Sequence, residues 1–128
     1  MENQGMVIDT TLFIEHLRAK DKTQTTLYKL PFTGVRYVSA VTVYELFAGA
    51  TDTAKVESVR LELDGLLILP MTAGVAERAG VIYQDLRQRG LMIELSDIFI
   101  AATALANNLP VKTLNTRHFE RVEGLRLA

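Results

Sequence analysis

Residues 6–17 read MVIDTTLFIEHL, and a change of period inside them decides the fold. Met6-Val7-Ile8 is a continuous apolar run, as expected of a parallel strand buried on both faces. From Leu12 onward the pattern changes. Leu12, Phe13, Ile14 and Leu17 recur at helical spacing, with Glu15, His16, Arg18 and Lys20 on the other side. Strand passes directly into helix, and Asp9 stands at the joint.

The same alternation recurs to the end of the chain. Asp21–Thr26 is polar and leads into a short helix with Leu27, Tyr28 and Leu30, stopped by Pro31. Val35–Ala40 is β-branched and aromatic, a second strand. Thr42 is placed to cap a helix over Val43–Ala48, with Gly49 at its end. Asp52–Leu63 has Val56, Val59 and Leu63 at helical spacing. Leu66–Leu69 then reads as a third buried strand, closed by Pro70. Thr72 caps a long helix to Arg89, ended by Gly90. Ser96 is the N-cap candidate for a helix over Asp97–Ala106, stopped at Asn107-Asn108. Val111–Leu114 is a fourth strand, Thr116–Glu120 a turn, and Leu125–Leu127 an edge strand. Strands alternating with helices imply βαβ units on a parallel sheet of four to five strands, an α/β/α sandwich.

Composition bounds the function. At 128 residues the chain fits one domain, since roughly 150 residues is the usual measure; residues 1–5 read as a flexible tail. Cysteine is absent, which excludes disulfides, thiol catalysis and Cys-ligated zinc. With 14 basic and 15 acidic residues the net charge is −1. A surface that is one basic clamp for nucleic acid is excluded, but a local basic patch is not. No run approaches the roughly 18 apolar residues of a membrane span, and no secretory leader is visible. The expected location is the cytoplasm, without membrane contact.

In open parallel sheets, sites form outside the carboxyl ends of the strands, where strand order reverses. Asp9 closes the first strand, Glu45 lies a turn past the second, and Asp97 opens the helix before the fourth. All three belong on one rim. Carboxylates gathered without a basic neighbour repel each other, and a hard divalent cation resolves the repulsion; Mg²⁺ and Mn²⁺ prefer oxygen ligands. Each acid also has an ordinary reading. Asp9 can cap the first helix, Asp97 can favour a helix dipole, and Glu45 can be a solvated helix residue.

Four local words occur in order: VIDTT at 7–11, SAVTVYELFAG at 39–49, LSDIFIAATAL at 95–105 and VKTLNTRHFERVEGL at 111–125. Together they resemble PIN domains of the VapC type, the toxin half of toxin–antitoxin pairs, over Met6 to Leu127. The resemblance implies a Mg²⁺- or Mn²⁺-dependent endoribonuclease that hydrolyses RNA. It places Asp9, Glu45 and Asp97 at the metal and catalytic positions, with Thr113 and Asn115 as supporting polar groups. It also implies a homodimer and a VapB-type antitoxin that covers a groove near the site and brings a basic side chain toward the acids. One position departs from the pattern. Where many relatives carry a fourth acid, this chain has His118, a possible substitute ligand less suited to Mg²⁺. A catalytically weakened PIN module that mainly binds antitoxin or RNA is the alternative that His118 raises. A phospho-receiver domain would want its Asp at the end of strand three, where Leu69-Pro70 stands.

RNA needs cations to approach an acidic rim. Lys20, Lys22, Lys29, Arg87 and Arg89 are candidates, and Arg117 and Arg121, flanking His118, are best placed for phosphate. Val43, Leu46, Phe47, Val56 and Val59 suggest surplus apolar helix surface for a second copy.

Overall fold

The structure, a computed structural model, describes residues 5–31 and 33–128. Strands β1 (Gly5–Ile8), β2 (Val35–Ser39), β3 (Leu67–Leu69) and β4 (Val111–Lys112) form one sheet in the order β3-β2-β1-β4, every pairing parallel. Helices α1 (Thr10–Arg18) and α2 (Thr26–Lys29) join β1 to β2. Helices α3 (Ala40–Ala48) and α4 (Thr53–Leu63) join β2 to β3, and α5 (Ala73–Arg89) and α6 (Leu95–Ala106) join β3 to β4. The short helix α7 (Thr116–Phe119) follows β4.

Strand β1 shows why this is a sandwich. Successive side chains of a strand point to opposite faces. Val7 packs with Val75, Ala79, Leu86 and Ile98 of α5 and α6, while Met6 and Ile8 pack with Leu12, Phe13, Leu46 and Val59 of α1, α3 and α4. Both faces of the strand are covered, so a continuous apolar run is what it needs.

Several boundaries depart from the sequence reading. The α3 helix begins a turn before the expected Thr42 cap. Ser39 is the cap, its Oγ accepting from the Thr42 amide, and Thr42 is buried inside the first turn. The α6 helix starts at Leu95, so Ser96 is helical; Glu94 holds the N-cap position without a side-chain hydrogen bond. Strand β3 is an edge, with Leu67 and Ile68 more than half exposed, and not the buried strand its composition suggests. The fourth strand stops at Lys112, the turn after it is helix α7, and the expected edge strand at 125–127 is a single parallel bridge, Val111 with Leu127. Gly5, read as tail, pairs with Val35 in the sheet; residues 1–4 lie outside the described residues. The caps of α5 are as read: Thr72 accepts from Val75, and Gly90 closes the helix at φ 67°, the left-handed region where glycine has no steric penalty.

Candidate active site

Strand order runs outward from β1 to β2 to β3, then returns to place β4 on the far side of β1. The reversal therefore lies between β1 and β4, and their carboxyl ends carry Asp9 and Thr113. These two side chains meet. Asp9 is 1% exposed. Its Oδ2 accepts from Thr11 Oγ1 and from Thr113 Oγ1, each at 2.7 Å. Asp9 occupies the N-cap position of α1 but makes no side-chain cap bond. Its carboxylate is held by Thr11 and Thr113 at the rim and does not cap the helix.

Both hydroxyls are fixed in orientation. Thr113 Oγ1 accepts from the Asn115 amide at 2.8 Å and Thr11 Oγ1 from the Leu114 amide at 3.1 Å. Each accepts from a backbone amide and gives its single proton to Asp9. The other carboxylate oxygen is different. Among the described residues, Asp9 Oδ1 is the one buried side-chain polar atom without a hydrogen-bond partner. Leaving such an atom unsatisfied costs about 1–3 kcal/mol, and more when it is charged.

Glu45 is reached by a chain of hydroxyls. Thr10 Oγ1 donates to Glu45 Oε1 at 2.7 Å. The Thr10 proton is thereby used, so Thr42, 2.9 Å away, donates to Thr10. Thr10 and Thr42 are buried and Glu45 is half-buried. Glu45 is therefore held rather than freely solvated. From the sequence, Thr42 is read only as a helix cap, and Thr10 and Thr11 have no role. The Asp-Thr-Thr word is a local signal for the latter two, but their partners lie far along the chain.

Asp97 sits in the first turn of α6. Burial pushes its carboxyl above the usual carboxylate range. The hydrogen bond to His118 opposes this, and the nearby negative charge of Asp9 adds to it. Asp9 and Asp97 thus share one field. His118 Nδ1 lies 3.1 Å from Asp97 Oδ2 and 2.7 Å from Asn115 Nδ2.

The donor set suits a hard divalent cation. It offers carboxylate oxygens, one of them buried and unpartnered, and an Asp97 charge that burial and Asp9 both disfavour. Among the described residues no three acidic or histidine side chains stand together at coordination spacing. Such a cation would rest on a few carboxylates and keep several waters, as Mg²⁺ does.

The basic residues divide. Arg117 is exposed beside His118. Arg121 Nη1 donates to Met92 O at 3.0 Å, its carbonyl accepts from Arg89, and Arg89 also pairs with Asp85. That chain ties the segment after α7 to the α5–α6 connection, so both arginines are engaged in the fold. Lys22 Nζ donates to the carbonyls of His16 and Leu17 at the end of α1. Of the apolar residues read as surplus, Leu46 and Val59 are buried in the core, with Val43 and Phe47 packed against it. A groove of about 300 Å³ runs between α1, α3 and α4, lined by Ile14, Leu17, Leu46 and Val59, with Arg18 and Glu45 at its wall.

A parallel sheet between helical layers, with carboxylates and their hydroxyl donors at its switch point, defines a class of acidic-rim α/β/α domains. The PIN domain family model matches residues 6–125. Ribonuclease VapC10 of Mycobacterium tuberculosis is 32% identical over 121 residues, 94% of this chain and 90% of that protein. The tRNA(fMet)-specific endonuclease VapC of Shigella flexneri is 31% identical over 124 residues, 94% and 93% of the two chains. In fold, the chain is similar to the crystal structure of VapBC2 from Rickettsia felis bound to a DNA fragment from their promoter. There the TM-score is 0.84 at 22% identity, covering 98% of each chain. The chain belongs to the PIN-domain family, in its VapC branch.

Proposed function

We propose that this protein is a Mg²⁺- or Mn²⁺-dependent endoribonuclease toxin that hydrolyses RNA phosphodiester bonds and is neutralised by a VapB-type antitoxin. The observation that carries the metal site is the buried, unpartnered Asp9 Oδ1 in the field of Asp97. Asp9, Asp97 and Glu45 would hold the cation. When bound, it supplies charge neutralisation among the carboxylates and Lewis acidity toward a phosphoryl oxygen.

The chain's own residues do the positioning. Thr11 and Thr113 lock Asp9 Oδ2, which leaves Oδ1 as the free donor. Thr10 fixes Glu45. Asn115 positions its amide against His118. Arg117, exposed on the same rim, gives an incoming phosphate its first counter-charge. Because Arg121 is engaged on backbone carbonyls, its part in RNA contact would be indirect. The Shigella relative's name supports structured RNA, transfer RNA first, as the substrate class to test.

The groove leading to Glu45 is where an antitoxin segment would lie, and an arginine from it would supply cationic charge to the acids. A homodimer is part of the same proposal. The half-exposed Leu67 and Ile68 on edge strand β3 offer it apolar surface. None of the described helices is long and apolar enough to cross a membrane.

The test is cleavage of transfer RNA and structured ribosomal RNA by the purified chain, with Mg²⁺, Mn²⁺ or chelator. Cleavage that requires the cation is expected. No cleavage by a folded protein under any of these conditions would favour the alternative, a weakened module that acts by binding.

A further inference from the structure

Helix α1 ends with its carbonyls already served. Lys22 Nζ donates to His16 O, Leu17 O and Ala19 O at 2.8, 3.0 and 3.4 Å, which supplies the cation that a helix C-terminus favours. Arg18, the last residue of the helix, is not needed for that task. It is exposed, and among the described residues its side chain takes part in no ion pair or hydrogen bond. It lines the groove between α1, α3 and α4. Lys55, in the first turn of α4, lines it too, with its Nζ 3.4 Å from Thr51 Oγ1 and no acid paired to it among the described residues.

The groove has unlike ends. Glu45 is bonded to Thr10, the first residue of α1. Arg18 stands two turns further on, about 12 Å along the axis at roughly 1.5 Å per residue. Ile14 and Leu17 line the stretch between. An acid therefore marks one end and an arginine the other, across an apolar floor. A nucleic-acid strand carries one sign of charge throughout and would set phosphate against Glu45, whereas a polypeptide segment can carry both signs.

We infer that this groove reads the charge order of the protein segment it takes: a basic side chain beside Glu45, apolar side chains over Ile14 and Leu17, and an acidic side chain against Arg18. The inference rests on the antitoxin reading proposed above and goes beyond it, since it makes Arg18 the residue that selects the partner and fixes the direction in which its segment lies. The guanidinium fork suits a carboxylate bidentately, and Lys55 adds a second cation to the wall. A segment lying the other way would set like charges together at both ends, the kind of contact that excludes wrong partners.

The experiment selects a displayed library of random peptides on the purified full-length chain and on Gly49→Trp. Gly49 lines the groove, and an added Cβ there comes no nearer than 3.7 Å to Glu45 O, so the variant blocks the groove without crowding the backbone. Peptides that bind the wild type and not Gly49→Trp are groove ligands, and their affinities are measured by calorimetry. They are expected to carry a basic and an acidic residue on opposite sides of an apolar core. Such a peptide should bind Arg18→Glu roughly tenfold more weakly, and exchanging its acid for lysine should restore binding to that variant. Groove ligands without the acid, or with affinity indifferent to Arg18→Glu, would overturn the assignment of Arg18. A selection that yields no groove ligand would overturn the docking surface. Loss of RNA cleavage in Arg18→Glu with peptide binding unchanged would give Arg18 to RNA and overturn the inference as well. Wild-type Mn²⁺ binding and RNA cleavage are measured apart from peptide binding, so the groove can fail while the cation site stands, and the reverse. Should Arg18→Glu fail to fold, Arg18→Gln removes the charge without opposing the helix dipole and tests the same preference.

Discussion

Helix α1 carries a polar cluster at each end, and the two differ in one respect. At its last turn His16 is buried, with Nδ1 2.7 Å from Thr25 Oγ1 and Nε2 3.4 Å from Glu62 Oε2. Thr25 in turn caps α2 by accepting from the Tyr28 amide. Among the described residues, no buried side-chain polar atom of that cluster is without a partner. At the other end Asp9 is at least as well buried and holds two short hydrogen bonds, yet one carboxylate oxygen is left open. Both clusters pair a histidine with a carboxylate and a small polar side chain. The cluster around His16 is closed upon itself and ties α1, α2 and α4 together. The cluster around Asp9 leaves one oxygen open, and that is where the proposed cation would bind.

Substitutions can break this contrast, and the largest effect is expected at Asp9. Asp9→Asn retains an oxygen for Thr11 and Thr113 but sets an amide where the open oxygen stood. Cleavage should fall by at least ~10²-fold, the scale of losing one essential charge-stabilising group, while circular dichroism shows a folded chain. Equal activity would remove Asp9 from the site. His16→Ala should do the reverse. It empties a satisfied buried cluster and costs about 1–3 kcal/mol of stability by denaturant titration, while cleavage per folded molecule changes little. If His16→Ala abolished cleavage in folded protein, the division between the two clusters would be wrong.

Thr113→Val sharpens the comparison. It frees Asp9 Oδ2 from one donor without touching charge, and should weaken divalent-cation affinity by about 10–100-fold. The smallest effect concerns pH. Burial and Asp9 raise the Asp97 carboxyl above its unfolded value, so the folded state favours the protonated form. The resulting penalty on stability is present above the folded pKa and fades as pH falls through it. In metal-free protein, Asp97→Asn should therefore melt slightly higher than wild type at neutral pH, with the gap closing toward acid. A gap that widens toward acid would reverse the sign of the Asp97 shift.

Much of the frame is legible locally, because period and punctuation are local. Met6–Ile8 and the Thr72 and Gly90 ends of α5 need only their neighbours. What a local reading misses has physical causes. Ser39 and Thr42 are three residues apart, and either hydroxyl is a plausible cap until the position of the first turn is known. Leu66–Leu69 is apolar enough for a central strand, but only the sheet order makes β3 an edge. Leu46 and Val59 look like surplus surface until the opposite face of the sheet is seen to need them. Strand ends and the four local words both point to the three acids, and the structure sets Asp9 and Asp97 in one field with Glu45 tethered to Thr10. The hydroxyl that completes Asp9 comes from Thr113, 104 residues away, and no local pattern announces it. Nor does one reveal that Arg121 is engaged on Met92.

The proposed cation site is built on the open oxygen of Asp9, with Asp97 and Glu45 as its further carboxylate donors. Calorimetric titration of Mn²⁺ into the purified chain and into Asp9→Asn tests it most directly. Saturable binding by the wild type, at least tenfold weaker in the variant, is the expected result. Equal binding by both proteins, or none by a folded wild type, would contradict the claim.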